Sequence, residues 1–173
     1  MFLMENKQRL TRDAVGSIAA GYGNDPSQLI AVLLDIQAAS GRNYVDREWA
    51  EFVSARMGLP LSKVFDVLTF YSMFSTEPRG EFLIEICENT PCRFCGMRDV
   101  AGWFEAAAGI KVGQTSDDGK ITLAYTSCVG ACETGPTVKI GDEVYGNMDE
   151  EKAKALVAGC RGGHAKEVLP CKN

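Results

Sequence analysis

Seven cysteines, at positions 87, 92, 95, 128, 132, 160 and 171, all fall in the second half of a 173-residue chain. The number is odd, so no complete set of internal disulfides can be drawn. The chain opens on Met1-Phe2-Leu3-Met4, followed at once by Glu5, Asn6 and Lys7. That is too short for the apolar core of a signal peptide, and the reading is a cytoplasmic protein. In a reducing compartment, clustered cysteines bind metal or carry redox chemistry rather than staple a fold. The longest apolar run, Leu29 to Leu34, is far below the ~18 residues that cross a bilayer, so no direct membrane insertion is expected.

Composition removes other classes. Hydrophobic residues make up 46% and charged residues 24%, a globular balance that excludes a mainly disordered, collagen-like or rod-like chain. The 18 basic residues are outnumbered by 23 acidic ones, for a net charge of −5. Nucleic acid is therefore not expected as a partner, because phosphate binding needs clustered Lys and Arg.

Residues 1–79 read as a helical domain. Asp25-Pro26 sets up a helix start, and Leu29, Ile30, Leu33, Leu34 and Ile36 fall near one helical face until Gly41. A second helix starts at Asp46, buries Trp49, Phe52, Val53 and Met57, and stops at Gly58 before Pro60. A third is expected to be capped by Ser62 and to run through Val64, Phe65, Val67 and Leu68. The apolar stretch from Phe70 to Phe74 is expected to pack in the core between this bundle and the C-terminal half of the chain. Gly21-Tyr22-Gly23 lacks the third glycine of a dinucleotide fingerprint and reads as a loop.

Pro78-Arg79-Gly80 marks a boundary, after which the period changes from helical to alternating. Phe82, Ile84 and Ile86 form one apolar face of a strand. Gly96 to Ala108 reads as a helix, Asp117-Asp118-Gly119 as a turn and Ile121 to Tyr125 as a strand. Thr137 to Ile140 and Glu143 to Tyr145 flank Gly141-Asp142 as a hairpin. A last helix comes next, capped by Asp149. The resulting order, helices and then β-α-β-β-β-α, is an α/β chain with a small sheet over residues 80–160. From Arg161 onward, residues 161–173 read as a Gly-rich tail.

Cys87 and Cys92 form a C-x4-C pair at the end of one expected strand, and Cys128 and Cys132 a C-x3-C pair at the end of another. Two such loops can lie side by side at one sheet edge and offer four thiolates. That donor set suits a tetrahedral zinc ion or a [2Fe–2S] cluster. The spacings are wider than zinc knuckles, and the intervening Asn89, Thr90, Gly130, Ala131 and Gly135 are small enough for backbone N–H groups to approach sulfur. Zinc stays open on spacing alone. Cys92 and Cys95 also make a C-x2-C, the spacing of a thiol–disulfide exchange motif, with Cys95 read instead as a small apolar residue beside the site. Cys160 and Cys171 are read as unligated thiols, and His164, the single histidine, as a surface residue.

Five segments occur together in order: Gly58-Leu59-Pro60 with Val64, Thr69-Phe70-Tyr71-Ser72-Met73-Phe74, Cys87-x4-Cys92, Cys128-Val129-Gly130-Ala131-Cys132 with Pro136, and Tyr145-Gly146-Asn147. In this the chain, over roughly residues 20–158, resembles the thioredoxin-like [2Fe–2S] subunit of NADH:quinone oxidoreductase, a subunit type that also occurs in NAD-linked hydrogenases, electron-bifurcating ones among them, and in formate dehydrogenases. The resemblance implies an N-terminal helical bundle followed by a thioredoxin-like [2Fe–2S] ferredoxin domain. It implies a cluster on Cys87, Cys92, Cys128 and Cys132, with no acid, base or nucleophile of the chain's own. It implies docking on an iron–sulfur flavoprotein subunit that carries FMN and the NAD(H) site, with further iron–sulfur subunits in the same complex. A free-standing thioredoxin-like ferredoxin and a zinc-stabilised interaction module are the other readings. The same analogy raises the expectation of a cis bond before Pro136.

Overall fold

The computed structural model describes residues 10–163. The chain divides into two compact units, with the division between Arg79 and Gly80. His164, Cys171 and the rest of the stretch after Gly163 lie outside the described residues, as does the opening Met1 to Lys7.

The first unit is helical: α1 (Arg12–Gly21), a 3₁₀ turn (Pro26–Gln28), α2 (Leu29–Ala39), α3 (Arg47–Met57) and α4 (Leu61–Phe70). Local chemistry sets the ends. Asp25 accepts from Ser27 N–H and starts the 3₁₀ turn, so α2 proper begins three residues after the Pro. Asp46 accepts from Trp49 N–H at the start of α3, and Gly58 closes it in the left-handed region at φ 65°. Ser62 is not the cap of α4. The helix begins one residue before it, and the Pro60 carbonyl accepts from the N–H groups of Lys63 and Val64. The fixed φ of proline at that point is already helical, so no side-chain cap is needed. The core is built from Val15, Val32, Leu33, Ile36, Val53 and Val64, all fully buried. The expected burial of the segment after α4 is met only by Phe74. Phe70 is 80% exposed, Met73 44% and Tyr71 36%.

The second unit is a four-stranded sheet in the order β2-β1-β3-β4. Strand β1 (Phe82–Cys87) pairs in parallel with β2 (Ile121–Thr126) and antiparallel with β3 (Val138–Ile140), which forms the expected hairpin with β4 (Glu143–Tyr145). A parallel pair requires a crossover, and α6 (Met97–Ala108) supplies it, after a one-turn helix α5 (Thr90–Phe94) that periodicity did not suggest. The last helix, α7 (Glu150–Gly162), packs on α6 and is capped by Asp149, which accepts from Lys152 N–H. It runs two residues into the stretch read as tail, and Arg161 donates to the Ala108 carbonyl at 2.8 Å. Gly80 must be glycine. A Cβ there would lie 2.6 Å from the Ile121 backbone, where the chain enters the sheet.

Phe104, fully buried on α6, lies in one apolar cluster with Ile84, Ile86, Leu123, Leu156 and Val157. Phe104→Ala is expected to destabilise the second unit by roughly 3–5 kcal/mol, the usual cost of a large aromatic cavity. Urea denaturation of the full chain, followed by sheet and helix circular dichroism, checks this.

Candidate metal centre

The site arises from the parallel register of β1 and β2. Cys87, the last residue of β1, lies opposite Thr126, the last residue of β2. Both chains therefore leave the sheet at the same carboxyl edge, where ligand-binding loops of parallel strands gather. The first loop carries Cys92 on α5, and the second carries Cys128 and, at the start of a 3₁₀ turn, Cys132. Glu88 N–H donates to the Thr126 carbonyl at 3.0 Å and ties the two exits together. Arg93 closes the first loop on itself, donating to the Glu88 carbonyl at 2.7 Å and to its carboxylate at 3.0 Å.

The four thiols form two pairs. Cys87 and Cys92, each 1% exposed, are hydrogen-bonded to one another. Cys128 and Cys132 are exposed, with their sulfurs 3.4 Å apart. The pairs adjoin: Val129 N–H, from the second loop, donates to Cys87. Gly135 faces both loops, since a Cβ there would lie 3.4 Å from the Cys132 carbonyl oxygen, 3.7 Å from Cys92 Sγ and 3.5 Å from Cys95 Sγ. Gly135–Pro136 is cis, as expected. Among the described residues, no three Cys, His, Asp or Glu side chains gather around a single point as the ligands of one ion would.

Electrostatics separate the thiols. Burial opposes ionisation of Cys87, but hydrogen bonds from Asn89 N–H, the Cys92 thiol, Val129 N–H and the Thr137 hydroxyl outweigh it, and the thiol titrates below its ordinary value. Burial pushes Cys92 up despite two hydrogen bonds from Thr137. Cys132 is raised by its hydrogen bond with Cys128, then by burial, then by the charges of Cys128, Cys92 and Cys87, so the four sulfurs feel one another. A thiolate among such neighbours is stabilised by a bound cation, which ligation supplies. Small residues do approach sulfur: Gly130 N–H lies 3.4 Å from Cys128 Sγ. The donor set, two thiol pairs meeting across two loops, fits a [2Fe–2S] group, each iron of which takes two cysteines.

The remaining cysteines differ. Cys95 is exposed at the end of α5. The C-x2-C it makes with Cys92 is inverted for disulfide exchange, which needs an accessible first thiol with a lowered pKa. Cys160 is fully buried in α7. Sequence reasoning missed Thr137, whose hydroxyl lies 3.5 Å from Cys92 Sγ. Only its cross-strand position points to it.

Comparison with known proteins agrees with this geometry. The description "thioredoxin-like [2Fe-2S] ferredoxin" matches residues 15–161. The chain belongs to that family. Among its relatives is a subunit of the NADH-quinone oxidoreductase of Rhizobium meliloti (strain 1021), 33% identical over 150 residues, 87% of this chain and 88% of the relative. NADP-reducing hydrogenase subunit HndA of Solidesulfovibrio fructosivorans is 33% identical over 130 residues, 75% of each chain. A chain of the NAD+-reducing [NiFe]-hydrogenase in its air-oxidised state superposes with a TM-score of 0.70 at 20% identity, over 79% of this chain but 23% of that one. That likeness bears on the fold. This family member thus spans most of each of the two subunit relatives and under a quarter of the hydrogenase chain.

Burial raises the Cys160 thiol to about 12. At pH 8 nearly all of it is protonated, and the thiolate is the reactive form. In the metal-free native chain, a maleimide is expected to label Cys95 quickly and Cys160 only after denaturation. Mass spectrometry of the labelled peptides checks this. Linkage has the matching sign. Stability from the neutral thiol is full below the ordinary thiol value and is lost as pH rises from there toward about 12.

Proposed function

We propose that this chain is an electron-transfer subunit of a multi-subunit NADH-linked oxidoreductase, working in the cytoplasm, with one [2Fe–2S] cluster held by Cys87, Cys92, Cys128 and Cys132. The observation that carries the reading is the parallel β1–β2 register, which brings a buried and an exposed cysteine pair to one sheet edge. When bound, such a cluster supplies a site that takes up and gives back one electron at a time. Cys87 and Cys92 anchor it against the sheet. Cys128 and Cys132 face outward, which gives an electron partner a short approach.

The chain's own residues do no acid, base or nucleophile chemistry in this reading. Hydride chemistry belongs to a partner subunit that carries FMN and binds NAD(H), with further iron–sulfur subunits downstream. Support for a subunit rather than a free-standing carrier comes from the relatives named as subunits, which match along most of their length, helical region included. Support for a cluster rather than a single zinc ion comes from the arrangement of the thiols in two pairs.

Single Cys→Ser changes at 87, 128 and 132 are expected to abolish or strongly reduce bound iron and inorganic sulfide, whereas Cys160→Ser leaves both intact. Full loading in all three ligand variants would contradict the assignment. In the reconstituted complex with its flavoprotein, NADH is expected to reduce the cluster within the turnover time. Reduction of the isolated chain by NADH at the same rate would contradict a separate flavin-bearing partner.

A further inference from the structure

Thr137 lies just outside β3, and the sheet puts it there. Ile86 pairs with Val138 in the antiparallel β1–β3 ladder. One step further, Cys87 N–H donates to the Thr137 carbonyl at 3.1 Å. Thr137 thus stands beside the end of β1, where the buried pair of thiols begins. It is 1% exposed, one of few buried polar residues in the chain. Its Oγ1 lies 3.5 Å from Cys92 Sγ and also hydrogen-bonds Cys87, and its N–H hydrogen-bonds Cys92.

We infer that the Thr137 hydroxyl is a positioning residue for the electron-transfer step, raising the reduction potential through an O–H···S hydrogen bond to the Cys87–Cys92 pair. The inference rests on the ligand assignment proposed above and goes beyond it. In the thiol form either the Cys92 sulfur or the Thr137 oxygen can donate. A ligating cysteine is a thiolate with no proton left, so the direction becomes fixed and the hydroxyl must donate. Reduction adds one negative charge, shared by the cysteine sulfurs. A donor aimed at sulfur is strengthened by that charge, and the effect is large where water is excluded. The reduced state gains more than the oxidised state, and the potential rises. No bond to Thr137 forms or breaks, and the hydroxyl keeps its proton throughout. The exposed Cys128–Cys132 pair has water for the same purpose, so a built-in hydroxyl is needed only on the buried side.

The test is a dye-mediated, EPR-monitored redox titration of the full chain and three variants, each first assayed for iron and sulfide. Thr137→Val keeps the shape and removes the hydroxyl. Thr137→Ala removes it without branching, and Thr137→Ser keeps it. The Val and Ala variants are expected to hold electrons about tenfold more weakly than wild type, a shift of ~59 mV to lower potential for one electron, with Ser close to wild type. Equal potentials in wild type and Val would overturn the inference. So would a Ser variant shifted as far as Val, or loss of the cluster from both Val and Ala, since either makes the role structural. A wild-type chain that takes up no iron or sulfide overturns the ligand assignment and this inference with it. A loaded chain with an unmoved potential overturns this inference alone.

Discussion

Strand β1 is the element on which the second unit turns. It takes a parallel neighbour on one side and an antiparallel one on the other. The parallel pairing makes Cys87 and the approach to Cys128 leave the sheet together. The antiparallel pairing brings the start of β3, and with it Thr137, to the same edge. Backbone hydrogen bonds are nearly independent of side-chain identity, so the sheet can hold this convergence while the loops stay rich in small residues. The apolar layer of α6 and α7 behind β1 and β2 then fixes the strands without using any residue of the edge.

The two cysteine pairs are unequal, and the inequality is useful to a carrier of single electrons. A buried pair excludes water and fixes geometry, so little has to reorganise when charge changes. An exposed pair leaves one side open to a partner. Burial alone would oppose extra negative charge, and the hydrogen bonds from Asn89, Val129 and Thr137 to Cys87 are the counterweight. The same environment argues against thiol–disulfide exchange, because Cys92 is buried and its titration is pushed up rather than down.

Much of this was legible in the residues. Asp46 and Gly58 bracket α3 because an N-cap carboxylate and a left-handed glycine are local devices that need no tertiary context. The two cysteine pairs were legible from strand alternation and spacing, and so was their meeting at one edge, once both followed strands. Three features were not. Helix α5 is five residues long, too short to show a period. The Phe70–Phe74 segment is apolar throughout, and apolar content does not say which side chains turn outward, as Phe70 and Met73 do. Thr137 is an ordinary strand residue in sequence. Its contact with Cys92 spans 45 positions and exists only through the β1–β3 register.

Iron and acid-labile sulfide, measured on the anaerobically purified full chain together with its EPR spectrum before and after dithionite, test the central claim most directly. The account predicts about two irons and two sulfides per chain, with an S = 1/2 signal that appears on reduction. A colourless chain that holds one zinc, and takes up no iron on anaerobic reconstitution, would contradict it.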